Sequence, residues 1–276
     1  MSTAFYLAKA GGTRARSAAW LVRTRGRLDT RSLRILFYHR VSDDRDELAV
    51  SANSFRRQMD YLASEAYRVV DVLTAIDLLD NGNPLSRTAA LSFDDGYLDV
   101  AEHALPVLSE RGFRATVFVA PSVTEGRTSF SWYRDQPPLL SWHDIVGLDR
   151  QGTLRFEAHS LTHPNLPALD EESAREEIAG SKRELENRLG RPVEAFSYPS
   201  GLFGEREQRL AAEAGFRVAV SCEPGVNDSQ TDRLALRRRQ VDGRDSLLDF
   251  RAKLGGGHDS SPSLRALYRR VRYSVD

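Results

Sequence analysis

The sequence predicts an α/β fold built from repeated strand and helix units. Short apolar stretches rich in β-branched residues alternate with stretches of helical spacing along most of the 276 residues. No segment rich in proline, glycine or serine separates these units, which indicates one domain. Such alternation is typical of parallel β/α units, which either close into a barrel or form an open, doubly wound sheet.

The individual elements follow from apolar runs, from helical spacing and from boundary residues. Apolar runs predict strands at 32–39, 67–72, 88–93, 115–120, 154–158, 194–198, 217–221 and 234–241. Helical spacing predicts helices at 51–66, 73–79, 106–112, 141–149, 170–189 and 205–214, and a last amphipathic helix around 264–271. Ser51 or Asn53 can cap the first of these helices, Pro106 fits a first helical turn, and Gly190 ends the long helix.

The composition excludes several classes of protein. Hydrophobic residues make up 41% and charged residues 28% of the chain, which is ordinary for a globular protein with a sizeable core. The 39 basic and 39 acidic residues cancel, so the net charge gives no reason to expect a nucleic-acid partner. A single cysteine, Cys222, excludes an intramolecular disulfide. No apolar run reaches the length needed to span a membrane.

Residues 1–31 differ from the rest of the chain because they are strongly basic. They hold seven basic residues against one acid, Asp29, with aromatic and aliphatic side chains interleaved. Such a region suits peripheral contact with an anionic membrane surface, and a partly disordered extension is the alternative. Gly11 and Gly12 are expected to interrupt any continuous helix there. The apolar patch at 18–22 is too short for a secretory signal.

These features predict a basic extension over 1–31 and one folded domain over 32–276. With no secretory signal, the expected location is the cytoplasm or the inner face of the membrane.

Two adjacent carboxylates end the predicted strand at 88–93. Neighbouring strand residues point to opposite sides, so Asp94 and Asp95 reach one site only if the chain bends there. Gly96 supplies the backbone freedom for that bend. Acids at the carboxyl end of a buried strand are typical of active sites in α/β folds. A turn that caps the next helix is the alternative interpretation.

Two histidines follow the predicted strand at 154–158. His159 and His163 are four residues apart, but Pro164 follows directly, so they belong to a loop or a first helical turn rather than to a helix interior. Two imidazoles and one carboxylate are the three protein ligands of an open catalytic zinc site. Combined with the acid pair at another strand end, the histidines favour a metal site over two unrelated loops.

Three segments resemble the motifs of polysaccharide deacetylases, the NodB-homology domain of carbohydrate esterase family four. They are Ser-Phe-Asp-Asp-Gly at 92–96, His-Ser-Leu-Thr-His-Pro-Asn-Leu at 159–166 and Phe-Ser-Tyr-Pro-Ser-Gly at 196–201. Tyr-His-Arg-Val at 38–41, with the segments 55–59 and 67–70, looks like the subgroup of biofilm poly-N-acetylglucosamine deacetylases. The resemblance runs from about residue 33 to about residue 254 and implies a distorted (β/α) barrel with its site at the carboxyl ends of the strands.

The resemblance also implies roles for five residues. Asp95, His159 and His163 correspond to the ligands of a divalent metal, most often zinc, with cobalt, manganese or nickel as other choices. Asp94 corresponds to the general base. The backbone N–H of Ser200 corresponds to the family's oxyanion donor, although the family usually has tyrosine at that position.

Two other family residues lack a direct counterpart. Many members carry an arginine that holds the base where this chain has Ser197, and Arg238 is a candidate replacement. Many also place a general-acid histidine near the C-terminus, where this chain has only His258 in a glycine-rich segment that we interpret as a mobile surface loop. In the similar subgroup the histidine of the first strand fills that role, which makes His39 the candidate acid. A core histidine bonded to the backbone is the alternative for His39.

The implied activity is metal-dependent removal of N-acetyl groups from N-acetylhexosamine units of a polysaccharide or oligosaccharide. An O-acetyl esterase, or a deacetylase of another small amide, would use the same metal site. A catalytically impaired glycan-binding protein is a further alternative. The expected partner is an acetylated glycan, and no nucleic acid is expected.

Overall fold

The protein, described by a computed structural model over residues 3–25 and 32–259, contains short strands that are mostly buried. These strands are β1 (Arg34–Tyr38), β2 (Arg40–Val41), β3 (Ala49–Val50), β4 (Arg68–Val70), β5 (Thr88–Asp94), β6 (Ala115–Val119), β7 (Leu154–Ala158), β8 (Ala195–Ser197), β9 (Val218–Val220) and β10 (Arg239–Gln240). All of them except β2 and β3 belong to one parallel sheet.

Helices follow most of the strands, as the alternating pattern predicts. They are α1 (Thr3–Thr24), α2 (Ala52–Ser64), α3 (Val72–Asp80), α4 (Leu105–Ser109), α5 (Pro121–Thr124), α6 (Trp142–Gln151), α7 (Glu171–Leu189), α8 (Glu205–Glu213) and α9 (Leu247–Leu254). Ser51 caps α2 by accepting a hydrogen bond from the Ser54 backbone N–H. Gly190 ends α7 with a φ of 68°, a conformation that glycine adopts without strain. Among the described residues, no helix is long and apolar enough to cross a membrane.

The sheet runs in the order β10-β1-β5-β6-β7-β8-β9, and β4 pairs with the first half of β5. Leu236 forms a parallel bridge with Val220 at the end of β9, and three residues later Arg239 pairs with Leu36 of β1. One segment therefore touches both ends of the sheet, and the sheet curls into the predicted distorted (β/α) barrel. Because the strands are parallel, the residues that follow them gather at one edge.

Two predicted elements differ from the structure in their extent. The strand predicted at 234–241 is reduced to β10, because residues 236–240 cross from β9 to β1 instead of pairing with one neighbour. The helix predicted to begin at Pro106 already begins with a π-helical turn at Val100–Ala104. A proline lacks an N–H and crowds the carbonyl four residues before it, and the wider turn accommodates this.

The N-terminal region also differs from prediction. Gly11 and Gly12 do not interrupt α1, which is continuous. Tertiary contact explains this, since Trp20 is buried and its Nε1 donates to the Gly255 carbonyl at 3.2 Å. His258, predicted on a mobile surface loop, is buried beside Ser17. The helix predicted around 264–271 lies outside the described residues, and α9 was not predicted.

Candidate active site

The bend after β5 brings both carboxylates of the acid pair to one place. Asp95 and Gly96 both adopt left-handed backbone conformations, with φ values of 75° and 74°. A Cβ on residue 96 would lie only 2.7 Å from the Val119 Cγ1 atom, so the turn requires glycine both for conformation and for space. Asp94 and Asp95 are each 2% exposed. The acid pair therefore lies in a buried, preformed site rather than in a solvent-exposed turn.

The two histidines are positioned by the chain that leaves β7. The His159 Nδ1 atom lies 2.7 Å from the Ser197 carbonyl oxygen, which is a hydrogen-bond acceptor. His159 therefore carries its proton on Nδ1, and the lone pair of Nε2 points away from that bond. His163 has a φ of 60°, and its backbone N–H donates to the Ser160 hydroxyl at 3.0 Å. This left-handed bend returns the second imidazole toward the first, and the ring centroids are 4.6 Å apart.

Asp95, His159 and His163 converge on one point. The Nε2 atoms of His159 and His163 lie 3.6 and 3.8 Å from the Asp95 Oδ1 atom. One potential ligand atom from each residue falls within 4.8 Å of the other two. Two imidazole nitrogens and a carboxylate oxygen form the donor set that catalytic zinc and similar ions prefer.

The electrostatics of these three residues fit a bound cation. Within the described chain, neither carboxylate oxygen of Asp95 has a hydrogen-bond partner, although both are buried, and such atoms are costly unless something binds them. Burial, followed by the charge of Asp94, raises the pKa of Asp95 well above its usual value. Burial lowers the pKa of both His159 and His163, which keeps the imidazoles neutral. A divalent cation would satisfy the carboxylate and use the neutral nitrogens as ligands.

Asp94 is held by Arg238 rather than directed at the three clustered residues. The two guanidinium nitrogens Nη1 and Nη2 donate to Oδ1 and Oδ2 of Asp94 at 2.7 and 2.8 Å. Nη2 also donates to the Ser197 hydroxyl at 3.0 Å. Burial acts to raise the pKa of Asp94, but the charge of Arg238, together with its hydrogen bonds, outweighs burial and lowers the pKa to about 2. Asp94 is therefore ionised at neutral pH.

Arg238 itself is fully buried and packed between aromatic rings. Its guanidinium carbon lies 4.3 Å from the centroid of Phe37 and 5.5 Å from that of Phe118. Nε donates to the Ser221 carbonyl at 2.8 Å. The sequence offered Arg238 only as a candidate, and its aromatic neighbours were not predicted, because they come from β1 and β6 and share no local pattern.

His39 lies at the same edge as the carboxylates. It follows β1, whose last residue, Tyr38, pairs with Phe93, so the register places His39 beside Asp94. Its positive charge, when present, lowers the pKa of both Asp94 and His163. His39 is half-buried and is not among the three clustered ligand residues.

Ser200 lies in a 3₁₀ turn (Pro199–Gly201) that follows β8. It is exposed and has a φ of 57°, a conformation that costs energy for a residue other than glycine. Gly201 is required beside it, because an added Cβ would lie 2.5 Å from the backbone nitrogen of Cys222. Cys222 is half-buried, with its Sγ atom 4.0 Å from Arg238 Nη2.

An exposed tryptophan borders the site. Trp132 is 44% exposed, stacks on the buried Phe130 with ring centroids 4.6 Å apart, and lies 4.9 Å from the ring of His163. The loop that carries it is tied to the segment between β2 and β3, since the Tyr133 hydroxyl donates to the Asp46 carboxylate. This link joins residues far apart in sequence and had no sequence signal.

The two remaining histidines, His103 and His143, are both exposed and lie outside the cluster.

Several known proteins resemble this chain in sequence and in fold. The family model for polysaccharide deacetylase matches residues 81–219. YxkH of Bacillus subtilis (strain 168), whose name is that of a polysaccharide deacetylase, is 27% identical over 210 residues, covering 76% of this chain and 71% of that protein. IcaB from Ammonifex degensii is 26% identical with a TM-score of 0.69, covering 81% of this chain and 97% of its own.

The deacetylase PplD of Streptococcus pyogenes, solved in complex with acetate, has a TM-score of 0.71 at 21% identity, covering 81% of this chain and 98% of its own. At 21% identity, the structural similarity to PplD establishes a shared fold and nothing further. The family model spans half of the chain and includes the acid pair and both histidines. The chain therefore belongs to the polysaccharide deacetylase family, whose members are hydrolases of acetylated glycans.

Proposed function

We propose that the protein is a metal-dependent N-deacetylase that acts on N-acetylhexosamine units of a glycan. The observation that carries this proposal is the convergence of the Asp95, His159 and His163 ligand atoms beside Asp94, at the barrel edge. Asp95, His159 and His163 would hold the cation, with zinc as the first choice. When bound, a divalent cation supplies Lewis-acid polarisation of an acyl oxygen and makes water more acidic.

Asp94 is the proposed general base. Its carboxylate is ionised, and the ion pair with Arg238 fixes its orientation while each oxygen keeps a further lone pair. Its pKa of about 2 keeps Asp94 charged at neutral pH, so it would accept a proton most readily from an acidified water held beside it. Arg238 is then a positioning residue that keeps the base charged and correctly aligned.

His39 is the proposed general acid. An amide nitrogen does not leave as an anion, so a group at the site must protonate it as the C–N bond breaks. His39 lies beside Asp94 and outside the ligand cluster, which suits proton delivery to the leaving amine. The reaction then consumes one water and releases acetate and a free amino sugar. The Ser200 backbone N–H is the proposed donor to the oxyanion.

The rim of the site suits a sugar substrate. Trp132 exposes an aromatic surface next to His163 and is held in place by Phe130. Aromatic faces pack well against the apolar faces of pyranose rings, with little loss of side-chain entropy because the ring is already fixed. This feature supports a glycan rather than a small amide as the substrate.

The test is acetate release from N-acetylglucosamine oligomers and from acetylated xylan, measured by mass spectrometry on metal-reconstituted protein. We expect release from the amide substrate, loss of release after chelation, and recovery on adding zinc or cobalt. His159→Ala and His163→Ala should each lose both bound metal and turnover, whereas the exposed His143→Ala should retain both.

Three results would contradict the proposal. Full activity of chelated protein with no detectable metal would refute the metal site. Acetate release from xylan alone would identify an O-acetyl esterase that uses the same residues, and bound metal without turnover on any acetylated glycan would indicate a glycan-binding protein.

A further inference from the structure

One side of α1 attaches this helix to the barrel. Ser17 and Trp20 are buried, and the Ser17 hydroxyl donates to the Asp249 carboxylate at 2.5 Å. Trp20 covers Gly257 so closely that a Cβ there would lie 2.7 Å from the indole ring. Residues 17, 20 and 24 are spaced three and four apart, so they share one face of the helix. This face of α1 contacts α9 and the turn after it.

Over residues 15–22, the opposite face of α1 is apolar and exposed. Ala15, Ala18, Ala19 and Val22 follow the same three-and-four spacing on the other side, and all four are exposed. Val22 is 81% exposed, and the neighbouring Leu21 is 36% exposed. Leu21, Val22 and Trp132 are the large hydrophobic residues exposed within the described chain, and two of the three lie on α1.

Arginines flank this apolar face on both sides. Arg16 and Arg23, seven residues apart, lie along one border, Arg14 lies along the other, and all three are exposed. The sequence contains no acidic residue between positions 3 and 25. An apolar stripe bordered by long basic side chains matches helices that lie in the plane of a bilayer, with arginines reaching the headgroups.

We propose that the outer face of α1 docks the protein on an anionic lipid surface. Charge favours an anionic lipid surface over a second copy of the chain as the binding partner of this face. Two such faces packed together would place the arginines of both helices side by side, where they repel each other. The docking is independent of the deacetylase site, since α1 covers the flank of the barrel formed by α9, while the ligand cluster lies at the carboxyl ends of the strands.

The experiment is flotation of the full chain with vesicles of phosphatidylcholine alone or mixed with phosphatidylglycerol, at low and high ionic strength. We expect binding to the anionic vesicles that falls as salt rises. Each basic side chain near such a surface contributes about a fivefold change in affinity. The double substitution Arg16→Gln and Arg23→Gln should therefore weaken binding about 25-fold, and Val22→Asp should weaken it further.

A matched control removes the same charge elsewhere. Arg57→Gln with Arg150→Gln changes two exposed arginines away from α1 and should leave vesicle binding unchanged. Circular dichroism and turnover of a soluble acetylated oligosaccharide establish that each variant is folded. Equal binding to neutral and anionic vesicles, no binding to either, or a dimer in light scattering that Val22→Asp dissolves would overturn the proposal.

Discussion

Arg238 and Asp94 form a two-point ion pair in which the arginine is completely buried and the aspartate nearly so. The pair joins the segment before β10 to the end of β5, which are separated by 144 residues. The guanidinium also donates to Ser197, where the family resemblance leads us to expect an arginine. In this chain the cation beside Asp94 comes from the segment before β10, and the small Ser197 side chain is one of its hydrogen-bond partners.

Arg238→Lys should lower kcat by roughly 10²-fold while the metal stays bound. A lysine retains the charge but is a point donor without the planar fork that fixes both carboxylate oxygens, so the base loses its alignment. The fold-change follows the usual size of a general-base contribution. Steady-state kinetics with metal analysis measure this, and Arg237→Lys, at an exposed neighbour, is the control. Wild-type kcat in Arg238→Lys would mean that the pair is only structural.

The two aspartates should respond differently to the same substitution. Asp95→Asn should weaken metal binding, because it removes a charged ligand from the cluster. Asp94→Asn should leave the metal in place and lower kcat by about 10²–10⁴-fold, because an amide cannot accept the proton. Metal content by plasma mass spectrometry, together with turnover, separates the two. An active Asp94→Asn variant would assign the base elsewhere.

His39→Ala should retain the metal and lose most activity on acetamides. On an activated aryl acetate, whose leaving group needs no proton, the loss should be much smaller. Comparing kcat on the two substrates measures this difference, with the exposed His103→Ala as the control. Equal losses on both substrates would show that His39 supports the structure of the site, and the acid would then be another group.

The attachment of α1 should weaken in mild acid. Burial, and then the charges of Lys253 and Arg239, lowers the pKa of His258 to about 4, with Asp249 opposing and Arg16 adding slightly to the effect. The unfolded chain, with a histidine pKa of about 6.5, takes up a proton before the folded chain does. The stability that depends on neutral His258 is therefore present above about pH 6.5 and is lost as the pH falls toward about 4.

The measurement is the melting temperature of the wild type and of His258→Gln between pH 7 and pH 4. The glutamine side chain stays neutral across this range, so its melting temperature should fall less steeply than that of the wild type. All other titrating groups are common to both proteins. Parallel curves would show that His258 does not contribute to the acid sensitivity.

Local sequence was enough to predict the strands that lead into the candidate site and the ends of some of the helices. The apolar run before Asp94 and the run before His159 are buried strands because burial on both faces demands continuous apolar residues. Ser51 begins α2 and Gly190 ends α7 where predicted, since capping depends on one side chain or one backbone conformation. The convergence of Asp95, His159 and His163 was predictable as well, because all three residues follow the carboxyl ends of β5 and β7, within five residues, in one parallel sheet.

Tertiary structure decided what depends on distant partners. The continuity of α1 across Gly11 and Gly12, and the burial of His258, come from packing between the two ends of the described chain, which no local pattern encodes. Arg238 pairs with Asp94 because the sheet curls. The curl brings the segment before β10 next to β1 and close to the end of β5. The sequence alone therefore identifies the candidate residues of the site. Closure of the barrel decides which of them come into contact. The reason is that a buried charge is stable only beside a partner, and the fold brings that partner to it.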